Sequence, residues 1–130
     1  MIVEYLSVEQ VLSLHAEQLR RYGGGTGRRD RGALEAAVAR PWSTFDGEDL
    51  YQDLASKAGA LMHYLALNHP FVDGNKRVAA DAALLFLLLN EQEFVGSVED
   101  LVSIALATAS GQVAAEALAI WFRQRLRAVE

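Results

Sequence analysis

A chain of 130 residues has room for one hydrophobic core but not for two, and its 52% apolar and 22% charged residues suit one filled core under a charged surface. A formal net charge of −5 works against attraction to nucleic acid, and the absence of cysteine excludes disulfides, thiolate metal sites and a cysteine nucleophile. The N-terminus has no basic region followed by an apolar one, and the longest strongly apolar run, Ala82 to Leu89, is too short to span a bilayer. The expectation is therefore one cytoplasmic domain over residues 1–130, with no membrane and no direct nucleic-acid partner.

Ser7-Val8-Glu9-Gln10 reads as a capping box, and Val8, Val11, Leu12, Leu14 and Leu19 follow at near-helical spacing, which predicts a first helix to about Arg21. His15 inside it reads as structural. Gly23-Gly24-Gly25-Thr26-Gly27 carries too much backbone entropy for regular helix and predicts a mobile loop. Asp30 is a candidate N-cap for a short helix through Leu34 and Val38 that ends before Arg40-Pro41. From Trp42 to Asp49 the periodicity is poor, which predicts loop.

Leu50 or Asp53 opens the next helix, which runs through Leu54, Ala58, Leu61, Met62 and Leu65 to Asn68. Its spacing suggests a surface pair between Asp53 and Lys57, and His63 within it reads as structural.

The stretch His69-Pro70-Phe71-Val72-Asp73-Gly74-Asn75-Lys76-Arg77 follows. A helix opening at Gly74 or Asn75 presents free N–H groups and a partial positive charge, which together make a seat for phosphate. Gly74 allows close backbone approach, and Asn75, Lys76 and Arg77 are candidate phosphate-binding residues, with Arg77 able to hold oxygens bidentately. Asp73 can supply the hard oxygen ligand for Mg²⁺ shared with substrate phosphates. His69 is the candidate general base, Pro70 biases it toward an extended backbone, and Phe71 is the apolar plug of the loop. Each residue alone could belong to an ordinary turn, but a base, an acid, an amide and two cations within one turn are not what an ordinary turn needs.

The helix from Gly74 or Asn75 to about Asn90 is apolar on nearly every side beyond Arg77, the pattern of a central, surrounded helix. Asp81 lies four residues after Arg77 and is expected to pair with it. Gln92 to Val95 suggests a short extended piece, and Ser97 an N-cap for a helix through Leu101 and Thr108 that stops at Gly111. A final helix is expected from about Val113 to Arg127. Without alternation long enough for a sheet, the fold class is all-α, a compact helical bundle around the central apolar helix.

Residues His69 to Arg77 match the motif His-x-Phe-x-(Asp/Glu)-(Gly/Ala)-Asn-x-Arg, and the chain resembles the Fic/Doc family, its Doc toxin branch in particular. The resemblance extends from Leu14-His15 and Arg21-Tyr22-Gly23-Gly24 through Arg40-Pro41 and Leu84-Leu85-Phe86-Leu87 to the last helix. It implies transfer from ATP, with Mg²⁺, to a hydroxyl of a target protein, His69 taking the proton. It also implies a flap between the first helices, which makes Arg28, Arg29 and Arg31 candidate target contacts, with a plain linker as the alternative.

The motif departs from the AMP-transferring pattern Gly-Asn-Gly-Arg-x-x-Arg, because Lys76 stands for its glycine and Ala80 for its second arginine. In the Doc branch the same lysine goes with an inverted nucleotide that donates its γ-phosphate. The expected activity is therefore a protein kinase toxin acting on elongation factor Tu and arresting translation. AMP transfer and a non-enzymatic antitoxin-binding module are the alternatives. The resemblance further implies a cognate antitoxin whose disordered tail folds on binding, since no (Ser/Thr)-x-x-x-Glu-(Gly/Asn) brake occurs in the chain.

Overall fold

The computed structural model describes residues 2–25, 27 and 30–129. Six α-helices and two short antiparallel ribbons appear among the described residues, in the order α1 (Val8–Tyr22), α2 (Arg31–Ala39), β1 (Thr44–Phe45), β2 (Glu48–Asp49), α3 (Leu54–Asn68), α4 (Asn75–Leu89), β3 (Gln92–Phe94), α5 (Val98–Ala109), α6 (Ala115–Arg123) and β4 (Leu126–Ala128).

Local chemistry sets most helix starts. The Ser7 hydroxyl accepts from the Gln10 N–H at 3.1 Å while the Gln10 side chain accepts from the Ser7 N–H at 2.8 Å, the reciprocal box expected for α1. Asp30, Asp53 and Ser97 cap α2, α3 and α5 through side-chain bonds to Ala33, Ser56 and Asp100.

The core gathers around α3 and α4. The expectation of a central, surrounded α4 holds for Val78, Ala79, Ala82, Ala83, Phe86 and Leu87, all buried, but Leu88 and Leu89 reach solvent. α3 is buried on more sides, ten of its fifteen residues against seven of fifteen in α4. Its small residues explain this: a Cβ at Gly59 would stand 3.0 Å from the Ala119 backbone nitrogen, so α6 lies directly on the glycine.

Several expectations are corrected. The segment Trp42–Asp49 contains a hairpin, β1 with β2, turned by Asp46 and Gly47 with φ of 54° and 81°, the two positive values a tight hairpin turn requires. The last helix ends at Arg123 rather than Arg127, because Leu126–Ala128 pairs as β4 with β3. Lys57 does not pair with Asp53. Its side chain is 1% exposed and its ammonium donates to the Pro41 carbonyl at 3.2 Å and to Asp49 at 3.1 Å. Asp53 instead accepts from Arg123 at 2.9 Å. A buried ammonium takes the nearest acceptors, and these come from Pro41, just ahead of the hairpin, and from Asp49 within it, not from its own helix.

Both outer segments of the chain meet the far end of α4. The Glu4 N–H and carbonyl bond to the Asn90 side chain, each at 2.8 Å, and the Val129 N–H donates to the Glu91 carbonyl at 2.9 Å.

Candidate active site

The motif loop joins α3 to α4 and is tied to its surroundings at every turn. His69 ends α3 with φ 46° and ψ 56°, a left-handed conformation rather than the extended one expected before Pro70. The left-handed region is costly for a side-chain-bearing residue, and the following proline raises that cost. The surrounding contacts impose it. The Asn68 side chain donates to the Ala33 carbonyl at 3.3 Å, and the Pro70 carbonyl accepts from the Asp30 N–H at 3.1 Å, so α2 holds the loop on both sides of His69. Strain of this kind, fixed by neighbours, is common at functional sites.

Phe71 is buried, as the plug reading requires, and stacks on His15 with ring centroids 3.8 Å apart and planes 8° from parallel. The His15 Nε2–H donates to the Asp73 carbonyl at 2.8 Å. His15 is therefore a support of the loop that spacing within α1 did not reveal, since both of its partners lie some sixty positions away in sequence. Asn75 is a second support: its side chain accepts from the Phe71 N–H and donates to the Phe71 carbonyl, both at 3.0 Å. What Asn75 has left for a phosphate is its backbone N–H and the second hydrogen of its side-chain amide.

Gly74 is the N-cap of α4 with φ 85°, and no side chain caps this helix. The first-turn amides consequently face a cavity of about 330 Å³ lined by His69, Val72, Asp73, Gly74, Asn75, Lys76 and Arg77. A neighbouring cleft of about 290 Å³ places Tyr22, Gly23 and Gly24 opposite Asp73, Gly74 and Arg77. The glycine loop lies directly over the motif: the Gly25 N–H donates to the Asp73 carboxylate at 2.7 Å, and a Cβ on Gly25 would fall 2.8 Å from Val72. Only glycine permits that approach.

Asp73 is exposed, and one carboxylate oxygen is taken by Gly25. Among the described residues no cluster of three or more potential metal ligands exists. A lone carboxylate beside an uncapped helix N-terminus fits Mg²⁺, which keeps waters and shares substrate oxygens, rather than a metal held by a protein cage.

The expected Arg77–Asp81 pair does not form. Asp81 accepts from the Gln18 side chain, and burial raises its pKa above the usual carboxylate range. The Arg77 guanidinium lies over the Tyr22 ring, 4.1 Å from its centre. Lys76 is exposed at the cavity rim. Of the candidate target contacts, Arg28 and Arg29 lie outside the described residues, and Arg31, in the first turn of α2, pairs with Glu35 at 2.9 Å. A larger cavity, about 660 Å³, lies apart from the motif between α3 and α6, beside Arg40, Tyr64 and Arg123. His63 borders it, and burial lowers its pKa.

In this helical domain a strained loop feeds an uncapped helix N-terminus, with a histidine, an aspartate and two cations around it, an arrangement suited to holding an anion. Residues 5–87 match the Fic/DOC family model, and the chain belongs to that family. It is similar to the Toxin Doc of Mycolicibacterium smegmatis, 48% identical over 89 residues, which cover 68% of this chain and 66% of that protein. The chain thus spans just under two thirds of that relative's length. It is also similar to the Protein kinase doc of Escherichia phage P1, 31% identical over 122 residues, 94% of this chain and 95% of that one. No helix among the described residues is long and apolar enough to cross a membrane.

Proposed function

We propose that this chain is a Doc-type toxin that moves the γ-phosphate of ATP to a hydroxyl of elongation factor Tu and thereby arrests translation. The observation that carries this reading is the occupancy of the two positions separating the branches. Lys76 stands at the cavity rim where the AMP-transferring pattern has glycine, and Ala80, where that pattern has its second arginine, is only 2% exposed. A cation in the seat and no second arginine support a nucleotide pose unlike that of AMP transfer, and the phage relative named a protein kinase supports the same direction.

In this reading His69 accepts the proton of the target hydroxyl as its oxygen bonds the γ-phosphorus and ADP leaves. The α4 amides, Lys76 and Arg77 bind the phosphates, and Asp73 would hold Mg²⁺, which neutralises phosphate charge when bound. Positioning and charge neutralisation do most of the work in such transfers, which suits a short, tightly tied loop. Restraint comes from a cognate antitoxin whose disordered tail folds on this chain, since the sequence holds no brake motif of its own.

Mass spectrometry of elongation factor Tu after incubation with the protein and Mg·ATP tests the reading. The expected product carries one added phosphate, and His69→Ala lowers its rate by about 10²- to 10⁴-fold, the usual contribution of a positioned base. The same substitution should relieve growth arrest on expression without lowering thermal stability. An AMP adduct or an unmodified target rejects the kinase assignment.

A further inference from the structure

Tyr22 is the last residue of α1 and is 60% exposed, yet its ring faces a motif cation, with the Arg77 guanidinium carbon 4.1 Å from the ring centre. That is within the range at which a guanidinium is attracted to an aromatic face. Glu17 and Asp81 border the same cleft as Tyr22 and Arg77, and both are engaged elsewhere. Glu17 accepts from Arg20 and Arg21, and Asp81 accepts from Gln18. The Asp73 carboxylate accepts from Gly25. Among the described residues, Arg77 has an aromatic partner and makes no salt bridge.

The distinction matters for an anion site. A carboxylate partner would occupy part of the guanidinium fork and cancel its charge, whereas a ring face restrains the side chain and leaves both the N–H donors and the charge available. We propose that Tyr22 is a positioning residue of the site, its ring holding the Arg77 guanidinium beside the α4 N-terminus with its donors free for phosphate. The proposal rests on the phosphate-seat reading above, but not on which group is transferred. It also gives the end of α1 a role: Tyr22, Gly23 and Gly24 form the wall opposite Asp73 and Gly74.

The test compares Tyr22→Leu and Tyr22→Phe with the unchanged protein. In the absence of nucleotide, the side-chain Nε–Hε resonance of Arg77 should carry an upfield ring-current shift that persists in Tyr22→Phe and disappears in Tyr22→Leu. Calorimetry with Mg·ATP, and separately with inorganic triphosphate, should give a Kd raised about two- to fivefold in Tyr22→Leu, the range of an exposed cation–π contact, and nearly unchanged in Tyr22→Phe. Equal thermal stability of the three proteins marks the change as local. An unchanged Kd in Tyr22→Leu overturns the proposal, and so does an equal loss in Tyr22→Phe, which would point to the hydroxyl. Binding of triphosphate but not Mg·ATP by the unchanged protein would reject the nucleotide reading while leaving the Tyr22 comparison decisive. Binding of neither would reject both.

Discussion

Asn75 sits in the motif where a phosphate contact was expected, but its side chain spends both of its polar atoms on Phe71. The loop geometry depends on that clip, because it fixes the backbone between His69 and the start of α4. Asn75→Ala should therefore lower stability by about 1–3 kcal/mol, the usual penalty for leaving such groups unpaired, and weaken nucleotide binding as well. Denaturant melts and calorimetry on one sample would check both effects. At this scale the residue types were legible in the sequence, and the partners less so. The four-residue spacing of Arg77 and Asp81 suggested a pair, but Gln18 and Tyr22 from α1 claimed one each. Local spacing cannot anticipate a competitor contributed by another helix.

α3 delivers His69, so whatever anchors α3 anchors the proposed base. Asp53 caps its first turn through Ser56 and also binds Arg123 of α6. Burial pushes the Asp53 carboxyl up, but the hydrogen bonds from Arg123 and Ser56 outweigh it and bring it down to about 2 from a usual 3.8. The folded state thus favours the ionised form. The stabilisation from Asp53 is full above its unfolded pKa and is lost as pH falls from about 3.8 toward 2. Asp53→Ala should cost about 0.5–2 kcal/mol near neutral pH as a lost cap. The gap from the unchanged protein should narrow in melts near pH 2.5.

Where α6 crosses α3, Gly59 gives a prediction decided by magnitude. Alanine would favour the helix by about 1 kcal/mol, but its Cβ would stand 3.0 Å from the Ala119 nitrogen and 3.2 Å from the Leu118 Cβ. Overpacking costs about 1–3 kcal/mol, so Gly59→Ala should show a net fall in thermal stability. Most element starts were readable because Ser and Asp caps act within four residues. The end of α6 was not, since β4 exists only through its pairing with β3, some thirty positions away.

For the molecule as a whole, the helical class followed from periodicity, and the family from one short motif. The two β ribbons and the burial of Lys57 were not legible, because each depends on segments that meet only in the folded state. The ties at the far end of α4 have a topological consequence. Residues 4 and 129 bond to the consecutive residues Asn90 and Glu91, so the two outer segments of the chain meet at one end of α4. A short glycine-serine linker could join them, and a new opening between Gly111 and Gln112, both exposed in the turn between α5 and α6, would give a circular permutant. Its circular dichroism should match that of the parent, with nucleotide affinity retained. α4 is fifteen residues long, so the new junction would lie about 20 Å from the proposed phosphate seat, far enough to rewire the order of the chain without touching its chemistry.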